Sequence, residues 1–385
     1  MITHQSKIEK LIAELCPNGV KFKALANLVK ITTGKLNANA MKEGGQYPFF
    51  TCAEKPFLID IFAFDTEAIL ISGNGSQVGH INYYKGKFNA YQRTYVLSDF
   101  SNEISVQFLL FCLRGFLKEY ILKNVKEGSV PYITLPMLQN FKIPLPPLAI
   151  QEEIVKILNG FTELEAELEA ELEARKKQYE HYREELLTFG DDVKFIELKE
   201  IADFSQGIQI DPSNQLQEKQ DGFVRFLRIV DFVKDDEPPR YIKDPGVRYV
   251  KNEGDLVMIR YGASAAGKVF LKYRGAIANN MFQIKLKTNE LSIKFLHCYL
   301  SQPKIYNFLN SSGGSSTMPA ITFGQIGAVK IPVPSISEQE RIVSILDEFD
   351  TLVNDISIGL PAELLARRQQ YEYYRTKLLT FKEMI

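Results

Sequence analysis

One stretch of this chain is written twice, and that constrains its fold more than any other feature. Lys142-Ile143-Pro144-Leu145-Pro146 returns 188 residues later as Lys330-Ile331-Pro332-Val333-Pro334. At the same offset Gln151-Glu152, Ile154-Val155, Ile157-Leu158 and Phe161 return as Gln339-Glu340, Ile342-Val343, Ile345-Leu346 and Phe349. Upstream, Pro131, Ile133 and Thr134 match Pro319, Ile321 and Thr322, and Gly79 and Ala90 match Gly267 and Ala278. Beyond Phe161 the offset becomes 192: Gln178-Tyr179-Glu180, Tyr182-Arg183 and Leu186-Leu187-Thr188-Phe189 match Gln370-Tyr371-Glu372, Tyr374-Arg375 and Leu378-Leu379-Thr380-Phe381. The second copy thus carries four extra residues, about one helical turn. A third offset links Val20-Lys21-Phe22, Leu25 and Gly34 to Val193-Lys194-Phe195, Leu198 and Gly207, so both large segments open alike. The order is globular segment, helix, globular segment, helix, an internal repeat of very long period.

The helical parts follow from their spacing. In residues 150–190 apolar side chains fall at Ile150, Ile154, Ile157, Phe161, Leu164 and Leu168, alternating steps of four and three that make a coiled-coil seam. Pro144, Pro146 and Pro147 restrict the backbone before it and set the helix start near Ala149-Ile150. Residues 337–385 repeat the seam at Ile342, Ile345, Phe349, Leu352 and Ile356, then at Tyr371, Tyr374, Leu378 and Phe381. Gly359 and Pro361 are expected to kink or break this helix at its insertion. Two such helices separated by a compact domain can return antiparallel and form a rod. Leu164-Glu165-Ala166-Glu167 repeats as Leu168-Glu169-Ala170-Glu171 and Leu172-Glu173-Ala174, strong helix formers that let the rod lengthen in fixed steps.

A chain of 385 residues exceeds one ordinary core. The expected class is α+β. An N-terminal helical segment, 1–19, precedes two mixed α/β domains, 20–149 and 191–336. Two long antiparallel coiled-coil helices, 150–190 and 337–385, separate them in a pseudo-twofold repeat. Strands are expected at Ala68–Ile71, Leu256–Ile259 and Lys268–Leu271, and helices at Ser105–Lys123 and Ile293–Leu309.

The net charge of −1 hides a segregation. Residues 20–149 carry +5 and residues 191–336 carry +3, whereas residues 150–190 carry −6 and residues 337–385 carry −3. Mildly basic domains on acidic supports suit a duplex held by the domains and something else held by the supports. A pseudo-twofold repeat suits two half-sites on one duplex. Residues 1–15 contain neither a secretory leader nor a membrane span, so a cytoplasmic location is expected. Four scattered cysteines, Cys16, Cys52, Cys112 and Cys298, lack metal or disulfide spacing.

Between the expected strands lie loops rich in side chains that read bases or hold phosphates. Ser72, Asn74, Ser76, Gln77, Lys85, Lys87, Gln92 and Arg93 form one set. Arg260, Tyr261, Ser264, Lys268, Lys272, Arg274, Asn279 and Asn280 form the other. Arginine suits guanine O6 and N7, and asparagine or glutamine suits adenine N6 and N7, while lysine and serine commonly hold phosphates. Each residue alone could be an ordinary polar loop residue, and the weight rests on matched positions. Gly262 to Lys268 has the spacing of a phosphate loop, but Val269 replaces the required Ser or Thr and begins an expected strand. The four histidines lie far apart, which gives no support to a metal or nucleophile-base site.

The two Lys-Ile-Pro-x-Pro segments leading into Gln-Glu-x-Ile-Val helices, the two Tyr-x-x-Tyr-Arg-x-x-Leu-Leu-Thr-Phe endings and the glutamate-leucine-alanine spacer resemble the type I restriction-modification specificity subunits. The resemblance covers nearly the whole chain. Thr32-Thr33-Gly34 also resembles a family element, where the second domain has Ser205-Gln206-Gly207. Thr33, Lys35, Gln206 and Gln209 accordingly join the candidate DNA contacts. The resemblance implies that each globular domain is a target-recognition domain for half of a bipartite, asymmetric DNA site. It also implies that the helices dock two adenine methyltransferase subunits, with Tyr179, Tyr182, Leu186, Leu187, Tyr371, Tyr374, Leu378 and Leu379 as candidates. S-adenosylmethionine, ATP and Mg2+ would then belong to partner subunits, including motor-nuclease restriction subunits, and none to this chain. No Asn/Asp-Pro-Pro-Tyr/Phe methylase motif and no complete ATP loop is present, so no catalysis is expected from the chain alone. The competing classes are a coiled-coil linker whose two domains bind protein or sugar, and an autonomous DNA-modifying enzyme.

Overall fold

A computed structural model describes residues 6–124, 131–234, 236–262, 265–311, 320–355 and 357–384. The chain divides into two compact units, Met1–Glu169 with Glu363–Ile385, and Ala170–Ala362.

The first unit opens with α1 (Lys7–Leu15), started by a capping box between Ser6 and Glu9. There follow β1 (Lys21–Ala24), β2 (Lys30–Thr33), β3 (Tyr47–Phe50), β4 (Phe57–Ile59), β5 (Phe64–Ser72), β6 (Ile81–Ala90) and β7 (Thr94–Ser98). Next come α2 (Val106–Asn124), α3 (Leu135–Gln139), β8 (Lys142–Leu145) and the long α4 (Leu148–Leu186). Strands β2-β7-β5-β6-β3-β4 form one six-stranded sheet, antiparallel except where β3 meets β6. The central β5 is buried on both faces because its alternation feeds two cores. Ile69 and Ile71 join Phe108, Leu109 and Leu113 of α2, and Ala68 and Leu70 join Phe50, Phe88 and Val96. Each such aliphatic or aromatic side chain contributes roughly 1.5–3 kcal/mol by leaving water.

The second unit repeats this plan with one break. Its elements are β9 (Phe195–Glu197), α5 (Leu198–Ile201), β10 (Ala202–Gln206), β11 (Phe223–Leu227), α6 (Val230–Val233), β12 (Arg240–Lys243) and β13 (Val250–Lys251). β14 (Leu256–Ile259), β15 (Val269–Phe270), β16 (Gly275–Ile277) and β17 (Met281–Leu286) complete the main strands. After them come α7 (Ile293–Leu300), α8 (Pro303–Ser311), α9 (Phe323–Gly327), β18 (Lys330–Pro332), α10 (Ile336–Asn354) and α11 (Leu360–Leu379), whose residues from Glu363 onward belong to the first unit. Where β6 is one strand, its counterpart is split into β15 and β16 around Tyr273, which adopts the left-handed φ of 62°. The sheet divides accordingly into β10-β17-β14-β15 and β12-β11-β16-β13. The guanidinium of Arg225 lies 4.1 Å over the Tyr273 ring and pairs with the buried Asp231 at 3.3 Å, which holds the break in place.

The expected helix Ile293–Leu309 is two helices. Pro303 has no N–H for the Tyr299 carbonyl, which instead accepts from the Gln302 side chain at 3.0 Å. The break expected at Gly359 and Pro361 lies between Asn354 and Leu360. Ile356 is outside the described residues.

The repeated motifs do the same structural work in both units. The two Lys-Ile-Pro segments are β8 and β18, each paired antiparallel with the opening strand of its own unit, β1 and β9. Gln151, fully buried, accepts the Ser105 N–H at 2.8 Å and donates to the carbonyls of Glu103 and Pro146. Gln339, also fully buried, accepts the Ser292 N–H at 2.7 Å and donates to Glu290 and Pro334. Each glutamine thereby locks a helix start to the loop before α2 or α7, with no buried polar atom of its amide left over. Gly34 and Gly207 pass so close to the next strand that a Cβ would lie 1.8 Å from the Ala90 carbonyl oxygen or 2.2 Å from that of Ala278. Helical contacts recur too. In the first unit the Phe161 ring stacks 5.5 Å from Tyr374, and in the second Phe349 lies 5.5 Å from Tyr182.

Candidate nucleic-acid interface

In the first unit three connections meet at one end of the sheet. β2 exits through Thr33, Gly34 and Lys35. The β6–β7 turn, Tyr91 to Arg93, lies beside it, because the Gln92 N–H donates to the Leu36 carbonyl at 2.9 Å. The β5–β6 tip joins them through the Gly73 N–H, which donates to the Arg93 carbonyl at 2.9 Å. Asn74 at this junction accepts the Cys52 thiol proton at 3.1 Å and pairs across to Tyr132. Thr33, Lys35, Ser76, Gln77, Gln92 and Arg93 are all exposed around it.

The second unit assembles the same junction from different side chains. Gln206 at the end of β10 donates to the Asn279 carbonyl at 2.9 Å, and Asn279 donates to the side chain of Gln209 at 3.2 Å. The Arg260 N–H donates to the Asn280 carbonyl at 2.9 Å, and its own carbonyl accepts the Ile321 N–H at 3.0 Å. The guanidinium of Arg260 lies 4.9 Å from the Tyr261 ring centre and 5.9 Å from that of Phe323. These aromatics limit the arginine to a few directions while leaving its N–H groups free to donate. The side-chain oxygen of Asn280 is buried without a hydrogen-bond partner among the described residues.

Several candidates lie elsewhere. Lys85 and Lys87 stand in mid-strand on β6, opposite Glu67 and Asp65, and the Lys87 ammonium sits 4.7 Å over Phe62. Glu67 accepts from the Tyr83 hydroxyl at 2.6 Å, and this bond, with burial, holds that hydroxyl above its usual pKa. Lys272 and Arg274 flank Tyr273, and Lys268 is exposed before β15. Ser264 lies outside the described residues. Ser72 requires correction: only 2% exposed at the inner end of β5, it is a support of the tip and no DNA contact. No carboxylate pairs with Lys35, Lys85, Lys87, Arg93, Arg260, Lys268, Lys272 or Arg274 among the described residues, so these cations remain available to an anion.

Burial also sorts the candidate docking residues. Leu378 and Leu379 belong to the core of the first unit and Leu187 to that of the second, so these three leucines are corrected to packing positions. Tyr371 and Tyr374, and likewise Tyr179 and Leu186, pack partly buried against those cores, while Tyr182 is 37% exposed. Sequence reasoning missed Tyr373, 61% exposed on α11, because the first copy has His181 at that place. It also missed Phe323, whose contact with Arg260 spans 63 residues of sequence. Among the described residues no group of three His, Cys, Asp or Glu could hold a metal ion, and no helix is long and apolar enough to cross a membrane.

The family model of the type I restriction modification DNA specificity domain matches residues 17–174 and again 190–366. The chain belongs to that family. A putative type I restriction enzyme specificity subunit of Haemophilus influenzae is 29% identical over 99% of this chain and 100% of its own length. The EcoR124I/EcoR124II specificity subunit of Escherichia coli is 35% identical over 69% of this chain and 67% of its own. Among solved structures, the S subunit of a type I restriction-modification system from M. genitalium superposes with a TM-score of 0.54 at 17% identity, covering 94% and 96% of the two chains. A chain from a structure of complex assembly and conformational transition in the type I system gives 0.63 at 17%, covering 94% and 98%. The fold of type I specificity subunits is therefore this chain's fold, and DNA specificity is the role of its family. The linker with protein- or sugar-binding domains finds no support.

Proposed function

We propose that each unit reads one half of a bipartite, asymmetric DNA site, and that the chain does so without catalysing any reaction itself. The observation that carries this reading is the junction built twice on one frame. The β1–β8 and β9–β18 pairs, the glutamine lock and the glycine crossing are shared, whereas the rim differs: exposed Thr33, Lys35, Gln92 and Arg93 in one, exposed Gln206 and Gln209 with the half-buried Arg260 and Asn280 in the other. A preserved frame with divergent donors and acceptors is what two different base sequences require.

The helices α4, α10 and α11 form, in this reading, an antiparallel coiled coil with pseudo-twofold character. Its support is reciprocal: Phe161 meets Tyr371 and Tyr374, and the equivalent Phe349 meets Tyr179 and Tyr182. Exposed helix positions such as Tyr182 and Tyr373 dock two adenine methyltransferase subunits, which bring S-adenosylmethionine; motor-nuclease subunits bring ATP and Mg2+ chemistry in the cytoplasm. Methylome sequencing of cells with and without the gene tests the whole. A bipartite adenine-methylated motif should vanish on deletion, and its persistence in cells with intact partner genes rules the reading out.

A further inference from the structure

Beside the junction of the first unit lies a cleft of about 360 Å³ between the β5–β6 tip and α2, lined by Ser76, Gln77, His80, Arg114 and Lys118 among others. Its floor is rigid. Gly75 and Gly79 turn with φ of 84° and 79°, the Gly79 N–H donates to the Ser72 carbonyl at 2.8 Å, and a Cβ on Gly79 would come within 3.0 Å of Ile121 on α2. Arg114 and Lys118 stand one turn apart on one exposed face of α2. Neither has a carboxylate partner among the described residues, whereas the nearby Lys123 is neutralised by Glu119 at 2.6 Å. Among the described residues no acidic side chain lines the cleft. Two cations without carboxylate partners, with the Ser76 hydroxyl, the Gln77 amide and the His80 ring beside a tight turn, match the oxygens of a phosphodiester, and they stand on α2, apart from the base-reading rim at Thr33, Lys35, Gln92 and Arg93.

The equivalent cleft of the second unit, about 340 Å³, is lined by Lys268, Phe270, Ser301, Pro303 and Tyr306 among others. Lys268 stands in the place of His80, but the buried Gln302 and Tyr306 stand in the places of Arg114 and Lys118. The frame is shared and the charge is not.

We infer that Arg114 and Lys118 are a phosphate-backbone clamp of the first unit, with no equal among the described residues that line the second cleft. The clamp rests on the reading that the units bind DNA, and it assigns to α2 an anchoring role separate from the base-reading rim. Its test uses the full chain with its methyltransferase subunits and a fluorescent duplex bearing the methylated motif, titrated at several salt concentrations. Every phosphate neutralised by the protein adds about 0.9 to the slope of log affinity against log salt, so Arg114→Ala with Lys118→Ala should reduce that slope by about two. Affinity for specific and scrambled duplexes should fall by similar factors, and Arg114→Lys with Lys118→Arg should keep the wild-type slope. Tyr306→Ala in the second cleft should leave the slope unchanged. An unaltered slope in the double alanine variant overturns the clamp, as does weakening confined to one base sequence. Impaired assembly with the methyltransferase at unaltered slope also overturns it and makes α2 a protein contact. If the wild-type complex binds neither the specific nor the scrambled duplex, the reading of the units as DNA binders fails instead.

Discussion

Two side chains of the second unit have opposite relations to solvent, and each makes a measurable statement. Lys251 is fully buried with its ammonium donating to the Asp255 carbonyl at 3.0 Å, and burial pulls its pKa down from 10.5 to about 8. An amine whose pKa falls on folding makes the folded state less proton-binding than the unfolded one. Stability should therefore rise as pH climbs from about 8 to 10.5, and the full penalty should apply below that window. Lys251→Met removes the titration, so its stability advantage over the parent should shrink by about 2 kcal/mol between pH 7.5 and 10. Urea unfolding at the two pH values checks this, and parallel curves contradict it. Arg260, by contrast, is half-exposed and guided by Tyr261 and Phe323. Arg260→Ala should weaken one half-site by about 1–3 kcal/mol if the arginine is bidentate to guanine. Competition between duplexes altered in one half at a time reads this out, and uniform weakening reassigns Arg260 to a phosphate.

At the scale of elements, the helices separate packing from recognition. Leu187→Ser or Leu379→Ser empties a core position and should cost about 2–5 kcal/mol of the stability of its own unit. Tyr373→Ala touches an exposed position and should leave melting unchanged, whereas Tyr182→Ala also removes a ring contact with Phe349 and should cost about 1 kcal/mol; both should weaken capture of methyltransferase subunits in native mass spectrometry. If capture is unchanged, these tyrosines are not the docking face. The helices were legible in advance because a four-three seam admits few alternatives, and so was the break at Gly359 and Pro361. Less legible was Pro303, where the apolar spacing runs straight through a proline that begins a second helix. Ser72 misled because β5 is buried on both faces, so strand alternation gives no polar side there. The seam leucines misled because the same spacing serves a core and a docking surface alike. The split into β15 and β16 depends on Arg225, Asp231 and Tyr273, which meet only in three dimensions.

For the molecule as a whole, α4 is unbroken from Leu148 to Leu186, and the boundary between the units falls at Glu169 and Ala170, inside the tandem repeat. Deleting Leu168 to Glu171 should shorten the helix by about 6 Å and turn its far end by about 40°. One base pair of duplex rotates about 34–36°, so the gap between the methylated half-sites should shrink by one base pair, or at most two, with both half-sites unchanged. Methylome sequencing of the deletion strain shows the gap directly, and an unaltered gap at full activity means that the helix does not set it. The two-stranded clasps have a consequence for inheritance. Because β1 lies beside β8, and β9 beside β18, each recognition body departs from the chain and rejoins it about 5 Å away. The short stretches that frame it, Val-Lys-Phe and Lys-Ile-Pro, are nearly the same in both copies. A crossover within these stretches can replace one body by another, or the first by the second, and keep the ring contacts between helices, provided the incoming body supplies the loop that Gln151 or Gln339 locks and the apolar face that packs on the helix. The molecule is in that sense a pair of sockets, and a lineage carrying it can acquire a new methylation target in a single recombination event.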